Sequence, residues 1–234
     1  MAIDLRIFVA AAALLASVSL ARGESDCILD RCADRQPQPS LPSSVAPGNF
    51  DFFVLAFSWS PSFCERTHRS GGEQCAPGAD RGFVLHGLWP QYEHGFPQEC
   101  SSGAAPSRLA LERARGAYPE QGLARYEWRK HGACTGLSPG DYFDAAARAK
   151  AMVATPPELA SVSQDETLGA SEIERAFLAA NPRLRPGMLS VVCGGGVLQE
   201  VRVCLSKDLR DFHPCPELAR RSCRDHAIRI PAPR

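Results

Sequence analysis

Hydrophobic and polar positions along this chain fall into blocks of different period, and the periods predict the elements. Phe50 to Trp59, FDFFVLAFSW, is dense in aromatic and apolar residues and predicts a buried strand, which Pro61 and Ser62 break before Cys64. Gly82 to Trp89, GFVLHGLW, predicts a second strand, after Cys75 and a Gly-rich loop. Three segments carry helical patterning. Pro106 to Ala117 places Leu109 and Leu111 among arginines, Asp141 to Val153 is amphipathic, and Ser171 with Glu174 forms a capping-box signature for a helix that ends at Asn181-Pro182. Leu189 to Cys193 and Val197 to Leu205 predict two strands joined by the triple glycine Gly194 to Gly196, a tight turn rather than a phosphate loop, since neither a lysine nor a helix follows it. Helices and strands are interspersed without regular β-α-β alternation, so the expected fold is α+β, an antiparallel central sheet with several packed helices.

The N-terminal block has a different character. Ile7 to Leu20 is an apolar run after Arg6, followed by Ala21, Arg22 and Gly23, which reads as a signal peptide over residues 1–23 and an exported, secreted or periplasmic, protein. Cys27 and Cys32 bracket a short segment, and Ala33 to Gly48 is rich in Pro, Ser and Gln, so 24–48 reads as an N-terminal segment and linker. Residues 49–234 remain for a single domain, and no later segment has the ~20 apolar residues of a spanning helix. Ten cysteines in an exported chain point to disulfides. Zinc fits poorly, because there is no C-x-x-C pair and the histidines are not at finger-like intervals from the cysteines. By proximity, Cys204 with Cys215 and Cys193 with Cys223 can nest near the C-terminus, and Cys64 and Cys75 lie across one short loop. Formal net charge is zero, so a polyanion would have to be held by a local site.

Two stretches carry candidate chemistry. In Tyr126 to Cys134, YEWRKHGAC, helical geometry puts Glu127 and His131 one turn apart on one face with Lys130 at its edge, while Trp128 points to the core and Gly132 can end the helix. Glu and His at that spacing also occur on solvated helices, so a second stretch has to decide. That stretch is Phe83 to Gln91, FVLHGLWPQ, where His86 falls at or near the end of the strand, Gly87 permits close approach to the backbone, and Trp89 offers an aromatic face. A bond between Cys100 and Cys134 would draw the two histidine segments together. Two histidines, a glutamate, a lysine and an indole suit phosphodiester cleavage in RNA: one imidazole accepts the 2′-hydroxyl proton, the other protonates the departing 5′-oxygen, and a cation stabilises the added charge. The indole can stack on a base.

These two segments, His86-Gly87-Leu88-Trp89-Pro90 and Glu127 to Cys134, resemble the active-site segments of the ribonuclease T2 family, exported, metal-independent and largely base-nonspecific endoribonucleases. The resemblance runs from about Phe50 to Cys223 and includes Leu198 to Asp208, LQEVRVCLSKD. It implies His86 as proton donor, His131 as proton acceptor, Glu127 and Lys130 as stabilisers of the transition state, and Trp89 as the base-stacking tryptophan. It further implies cleavage of single-stranded RNA through a 2′,3′-cyclic phosphate, with no cofactor, metal, membrane or obligate protein partner, by a monomer. Tyr126 departs from the family pattern, in which many members carry a phosphate-binding histidine. A silent RNA-binding module and a metallohydrolase using His86, Glu127 and His131 as ligands are the rival readings. His68, His94, His213 and His226, and Arg220, Arg221 and Arg224, have no supporting context and read as surface positions.

Overall fold

In the computed structural model the described residues are 46–67, 72–98, 100 and 105–234. The expected signal peptide, Cys27, Cys32, His68 and nearly all of the linker lie outside them. The described chain runs β1 (Phe52–Trp59), α1 (Ser60–Thr67), β2 (Phe83–Gln91), α2 (Arg108–Ala114), α3 (Gln121–Lys130), α4 (Pro139–Met152), α5 (Pro157–Ala160), β3 (Glu166–Leu168), α6 (Ala170–Ala180), β4 (Leu189–Gly194), β5 (Val197–Ser206), α7 (Pro216–Arg220) and β6 (Ile228–Ile230). The fold is α+β, with a six-stranded sheet in the order β2-β1-β5-β6-β3 and β4 paired to β5.

β1 is central, antiparallel to β2 on one side and to β5 on the other, which is why its sequence is apolar on both faces. The exception to the antiparallel pattern is β6, which meets β5 in parallel at Val197 and Arg229, beyond the last β1–β5 pair, Ser58 with Glu200. One face of the sheet carries the main core. Leu55, Phe57 and Trp59 of β1 pack there with Leu111 of α2, Trp128 of α3, Tyr142 and Phe143 of α4, and Ile173 and Phe177 of α6. The opposite face has a smaller cluster of Phe52, Val54, Ala56, Trp89, Cys204, Cys215 and Leu218.

Helix boundaries follow local capping more closely than the wider patterning. α2 starts at Arg108 because the Ser107 hydroxyl accepts from Ala110 N, and α4 starts two residues before the expected Asp141 because Ser138 caps it and Pro139 occupies its first turn. The signature placed on Ser171 and Glu174 lies two residues too late. Gly169 is the N-cap, and its N–H donates to Glu172 Oε2 at 2.6 Å. The triple glycine is a two-residue turn, with Gly195 and Gly196 at φ 60° and 73°.

Two bulges set what faces what. On β2, Phe57 pairs with Leu85 and Ala56 with Gly87, leaving His86 as the extra residue. Leu85 and Leu88, three apart, therefore both reach the main core, while His86 and Trp89 turn to the thinner face. On β5 the extra residue is Gln199, between the pairs Cys193 with Leu198 and Val192 with Glu200, so that Leu198 and Val201 both enter the core and Glu200 and Arg202 join the face of His86. Between these strands lies Ala56, fully buried and paired with Gly87 on one side and Arg202 on the other. Its small side chain leaves room for groups on β2 and β5, about 10 Å apart across β1, to meet above it.

Four disulfides link described cysteines: Cys64 to Cys75, Cys100 to Cys134, Cys193 to Cys223 and Cys204 to Cys215. The second ties the loop after β2 to the turn after α3, with the Cα atoms 5.0 Å apart. Gly87 marks the closest approach of α3 to β2, because a Cβ there would collide with the Glu127 carboxylate and the Trp89 indole nitrogen. Gly87→Ala should accordingly lower stability by about 1–3 kcal/mol, the usual cost of an inserted methyl group in a filled interior. Urea unfolding measures it, and a midpoint equal to the parent's would show that the helix is not seated tightly on this glycine.

Candidate active site

His86 sits on the bulge of β2 with 4% of its surface exposed. Its Nδ1 lies 2.5 Å from Glu200 Oε1, and the other carboxylate oxygen, Oε2, accepts from Arg202 Nε at 2.9 Å and Nη2 at 2.8 Å. Glu200 and Arg202 are two apart on β5 and share a face for that reason. Both are buried, and the Arg202 guanidinium rests 5.1 Å over the Trp89 ring.

The helical stretch arrives from the other side. α3 ends at Lys130, and His131 caps it with φ −123° and ψ −49°, outside helical geometry, although its N–H still donates to Glu127 O at 2.9 Å. A 3-10 turn, Gly132 to Thr135, follows. Gly132 therefore does not terminate α3 by a left-handed turn, as its position suggests. Its role is close packing, since a Cβ there would lie 2.7 Å from the Trp128 ring and 2.9 Å from the Tyr142 ring. Trp128 is in the main core. Glu127 is wholly buried, accepts from Trp89 Nε1 at 2.6 Å through Oε2, and presents Oε1 3.6 Å from His86 Nε2.

Trp89 stands between the imidazoles, its ring 5.1 Å from His86 and 5.2 Å from His131. The indole expected as a stacking surface keeps 7% exposure, and its contacts are with Glu127, His86, His131 and Arg202. Lys130, half-buried, approaches the Tyr126 ring at 5.7 Å, and Arg129 approaches it at 5.4 Å. His86 Nε2, Glu127 Oε1 and His131 Nδ1 are buried polar atoms without a hydrogen-bond partner among the described residues. Such atoms are uncommon in native interiors, and three contributed by neighbouring side chains mark a place prepared for a polar ligand.

The environment separates the two histidines. Burial alone would lower the His86 pKa, but the charge and hydrogen bond of Glu200, with Glu127 adding to them, hold it above the usual imidazole value. His131 is pushed well below that value by burial, and then by Lys130, His86 and Arg202, all positive neighbours when charged. The Glu127 carboxyl is raised to about 7 by burial, against the opposing pull of His86 and the Trp89 hydrogen bond. Burial would raise Glu200 too, but Arg202 and His86 keep it well below the normal carboxylate range. Lys130 is lowered by burial. Two imidazoles of opposite tendency and two carboxyl groups of opposite tendency are thus gathered around one indole.

The sequence-predicted residues His86, Trp89, Glu127 and His131 are thus brought together, with Lys130 at the margin. Glu200 and Arg202 are not legible as site residues from sequence; the available signal is a pair of opposite charges, two apart, inside a predicted strand. His94 and His226 are exposed, His213 is half-buried and pairs with Glu93 at 3.2 Å, and Arg220, Arg221 and Arg224 are exposed. Among the described residues, the one close grouping of three metal-capable side chains is Cys193, Cys223 and Asp225, and its two sulfurs are bonded to each other.

The Ribonuclease T2 family matches the chain over residues 50–215. A ribonuclease of Aeromonas hydrophila is 34% identical over 174 residues, 73% of this chain and 78% of its own length. Ribonuclease DdI of Dictyostelium discoideum is 26% identical over 206 residues, 80% of this chain and 88% of its own. In fold, the chain is similar to the RNase-related protein from Calystegia sepium, with a TM-score of 0.64 at 22% identity over 79% of this chain and 98% of that one. RNase NT, solved with 5′-AMP, gives a TM-score of 0.57 at 24% identity over the same shares, 79% and 98%. With its match running from just before β1 to the cysteine before α7, the chain belongs to the ribonuclease T2 family and is an endoribonuclease.

Proposed function

We propose that the enzyme cleaves single-stranded RNA by transesterification through a 2′,3′-cyclic phosphate, with His131 as proton acceptor from the 2′-hydroxyl and His86 as proton donor to the leaving 5′-oxygen. The observation that carries the reading is the opposite electrostatic setting of the two buried imidazoles on either side of Trp89. A base must be neutral and an acid protonated at the same pH, and here the surroundings of His131 favour the neutral ring while those of His86 favour the charged one. The reverse assignment would give a bell-shaped profile as well, but from a far smaller population in the productive state. Glu127 offers its open oxygen to the phosphoryl group, and Lys130 supplies the cation that stabilises the phosphorane-like transition state. No cofactor or metal enters this mechanism, because the 2′-hydroxyl of RNA is the nucleophile. Low base specificity, export through the leader at residues 1–23, and action as a monomer without a protein partner complete the proposal; among the described residues no helix is long and apolar enough to cross a membrane.

RNA digestion in excess EDTA across pH 4 to 8 tests the core of it. Wild type should give a bell whose acid limb, set by His131, lies below the usual imidazole value and whose alkaline limb, set by His86, lies above it. His86→Ala and His131→Ala should each lose at least about 100-fold in kcat. Full activity in either variant, or cleavage that returns only with added zinc, would overturn the mechanism.

Trp89 is assigned a second task, holding Glu127 through its indole N–H. Trp89→Phe keeps an aromatic ring and removes that donor, so kcat should fall by about tenfold or more while KM stays near the parent's. A rise in KM alone would assign the residue to base contact.

Tyr126 occupies the position at which many family members carry a phosphate-binding histidine, and a phenol cannot carry an imidazolium's charge. Tyr126→His should lower the KM for RNA, more so toward acid pH, and an unchanged or higher KM would sink the idea.

A further inference from the structure

We infer that Glu200, locked by Arg202, is a positioning residue for His86: it fixes the imidazole on its bulge, keeps the proton of the neutral ring on Nδ1, and leaves Nε2 as the nitrogen that exchanges a proton with substrate. The inference rests on His86 being the proton donor and adds how the protein makes it one.

The carboxylate has partners at both ends. Oε1 faces His86 Nδ1 at 2.5 Å with the Ser58 hydroxyl at 3.4 Å, and Oε2 takes two N–H donors of the Arg202 guanidinium. His86, Glu200 and Arg202 all have 6% or less of their surface exposed. A buried carboxylate between an arginine and an imidazole remains an anion, since Arg202 does not titrate and its charge opposes protonation of Glu200. An anion can only accept, so Nδ1 must carry a hydrogen in either charge state of the ring. The second imidazole nitrogen then has one role left. Nε2 is buried, has no hydrogen-bond partner among the described residues, and is nearest Glu127 Oε1 at 3.6 Å. Its proton is therefore the one available for transfer.

Arg202 has a further consequence. By holding Glu200 ionised it stops the carboxylate from taking the imidazole's proton outright, so Glu200 orients and stabilises the imidazolium without discharging it. The groups that face His86 are Glu200 and Arg202 from β5, Glu127 from α3, and His131 just beyond α3. Glu200 and Glu127 favour the charged ring, and Arg202 opposes it. Removing Glu200's charge leaves burial and Arg202 acting against the imidazolium with Glu127 alone to offset them. The alkaline limb of the rate profile should then move toward acid.

Glu200→Gln is nearly isosteric and tests this directly. The kcat at pH 7.5 should fall by about 10- to 100-fold with KM little changed, and the alkaline limb should move down by about one pH unit or more, while the acid limb stays in place. Glu200→Asp, which restores the charge at a greater distance, should recover part of the shift. If the Gln variant fails to fold, the wild-type protein still decides: a 15N NMR titration of the His86 ring should show the Nδ1–H tautomer in the neutral form and a midpoint above that of an ordinary histidine. An Nε2–H neutral tautomer, or an unmoved alkaline limb in Glu200→Gln, would overturn the positioning role. Retained activity in His86→Ala is a separate outcome, which would overturn the catalytic reading instead.

Discussion

The structure depends on the complete burial of one carboxyl group, that of Glu127. Taking a carboxyl group out of water is costly unless it is paired or neutralised, and each neighbouring feature serves that end. Trp89 donates to it, Gly87 leaves space for it, and its pKa rises to about 7 so that a proton can share the load. Because Trp89 and Gly87 are on β2 and Glu127 is on α3, satisfying the carboxyl group also sets how the helix lies on the sheet. Cys100, in the loop after β2, is bonded to Cys134 in the turn after α3, which ties the same two segments covalently. The neighbouring helix α4 is fixed to β2 separately, by the Tyr142 hydroxyl donating to Leu88 O at 3.0 Å.

The second carboxylate follows the opposite rule. Glu200 is also buried, but it has Arg202 and so stays an anion. The two carboxyl groups approach the His86 ring from its two nitrogens, and the difference between them is a difference of partner: a guanidinium for Glu200, an indole N–H for Glu127. His131 is disfavoured as a cation by burial first and then by the charges of Lys130, His86 and Arg202, so its environment favours the neutral ring. Titratable groups whose settings push their proton affinities apart are what acid and base chemistry at one pH requires. Burial supplies the magnitude and the neighbours supply the sign.

Local chemistry was legible where one rule dominates. The aromatic density of Phe50 to Trp59 marks a buried strand, and the triple glycine Gly194 to Gly196 marks the turn between β4 and β5. Legibility failed where a rule had competitors. Ser171 looked like a cap, yet Gly169 serves because its own N–H reaches Glu172. His131 looked helical, yet it is the residue at which the helix unwinds into a 3-10 turn. Glu200 and Arg202 are two apart in β5, and nothing in VLQEVRVCLS says that the side they share is covered.

From the sequence alone came the two segments that form the candidate site, the family they resemble and the α+β class, because residue types, spacing and periodicity are properties of neighbours along the chain. The tertiary structure alone decided which carboxylate is held as an anion, which imidazole's surroundings favour the charged ring, and that His86 turns toward Glu200 at all. Those outcomes rest on a bulge that inverts the alternation of β2, on an alanine small enough to let two strands' side chains meet across a third, and on an arginine 116 positions beyond His86 in sequence. Charge in a buried site is set by what lies within a few ångströms, and only folding brings those groups within that range.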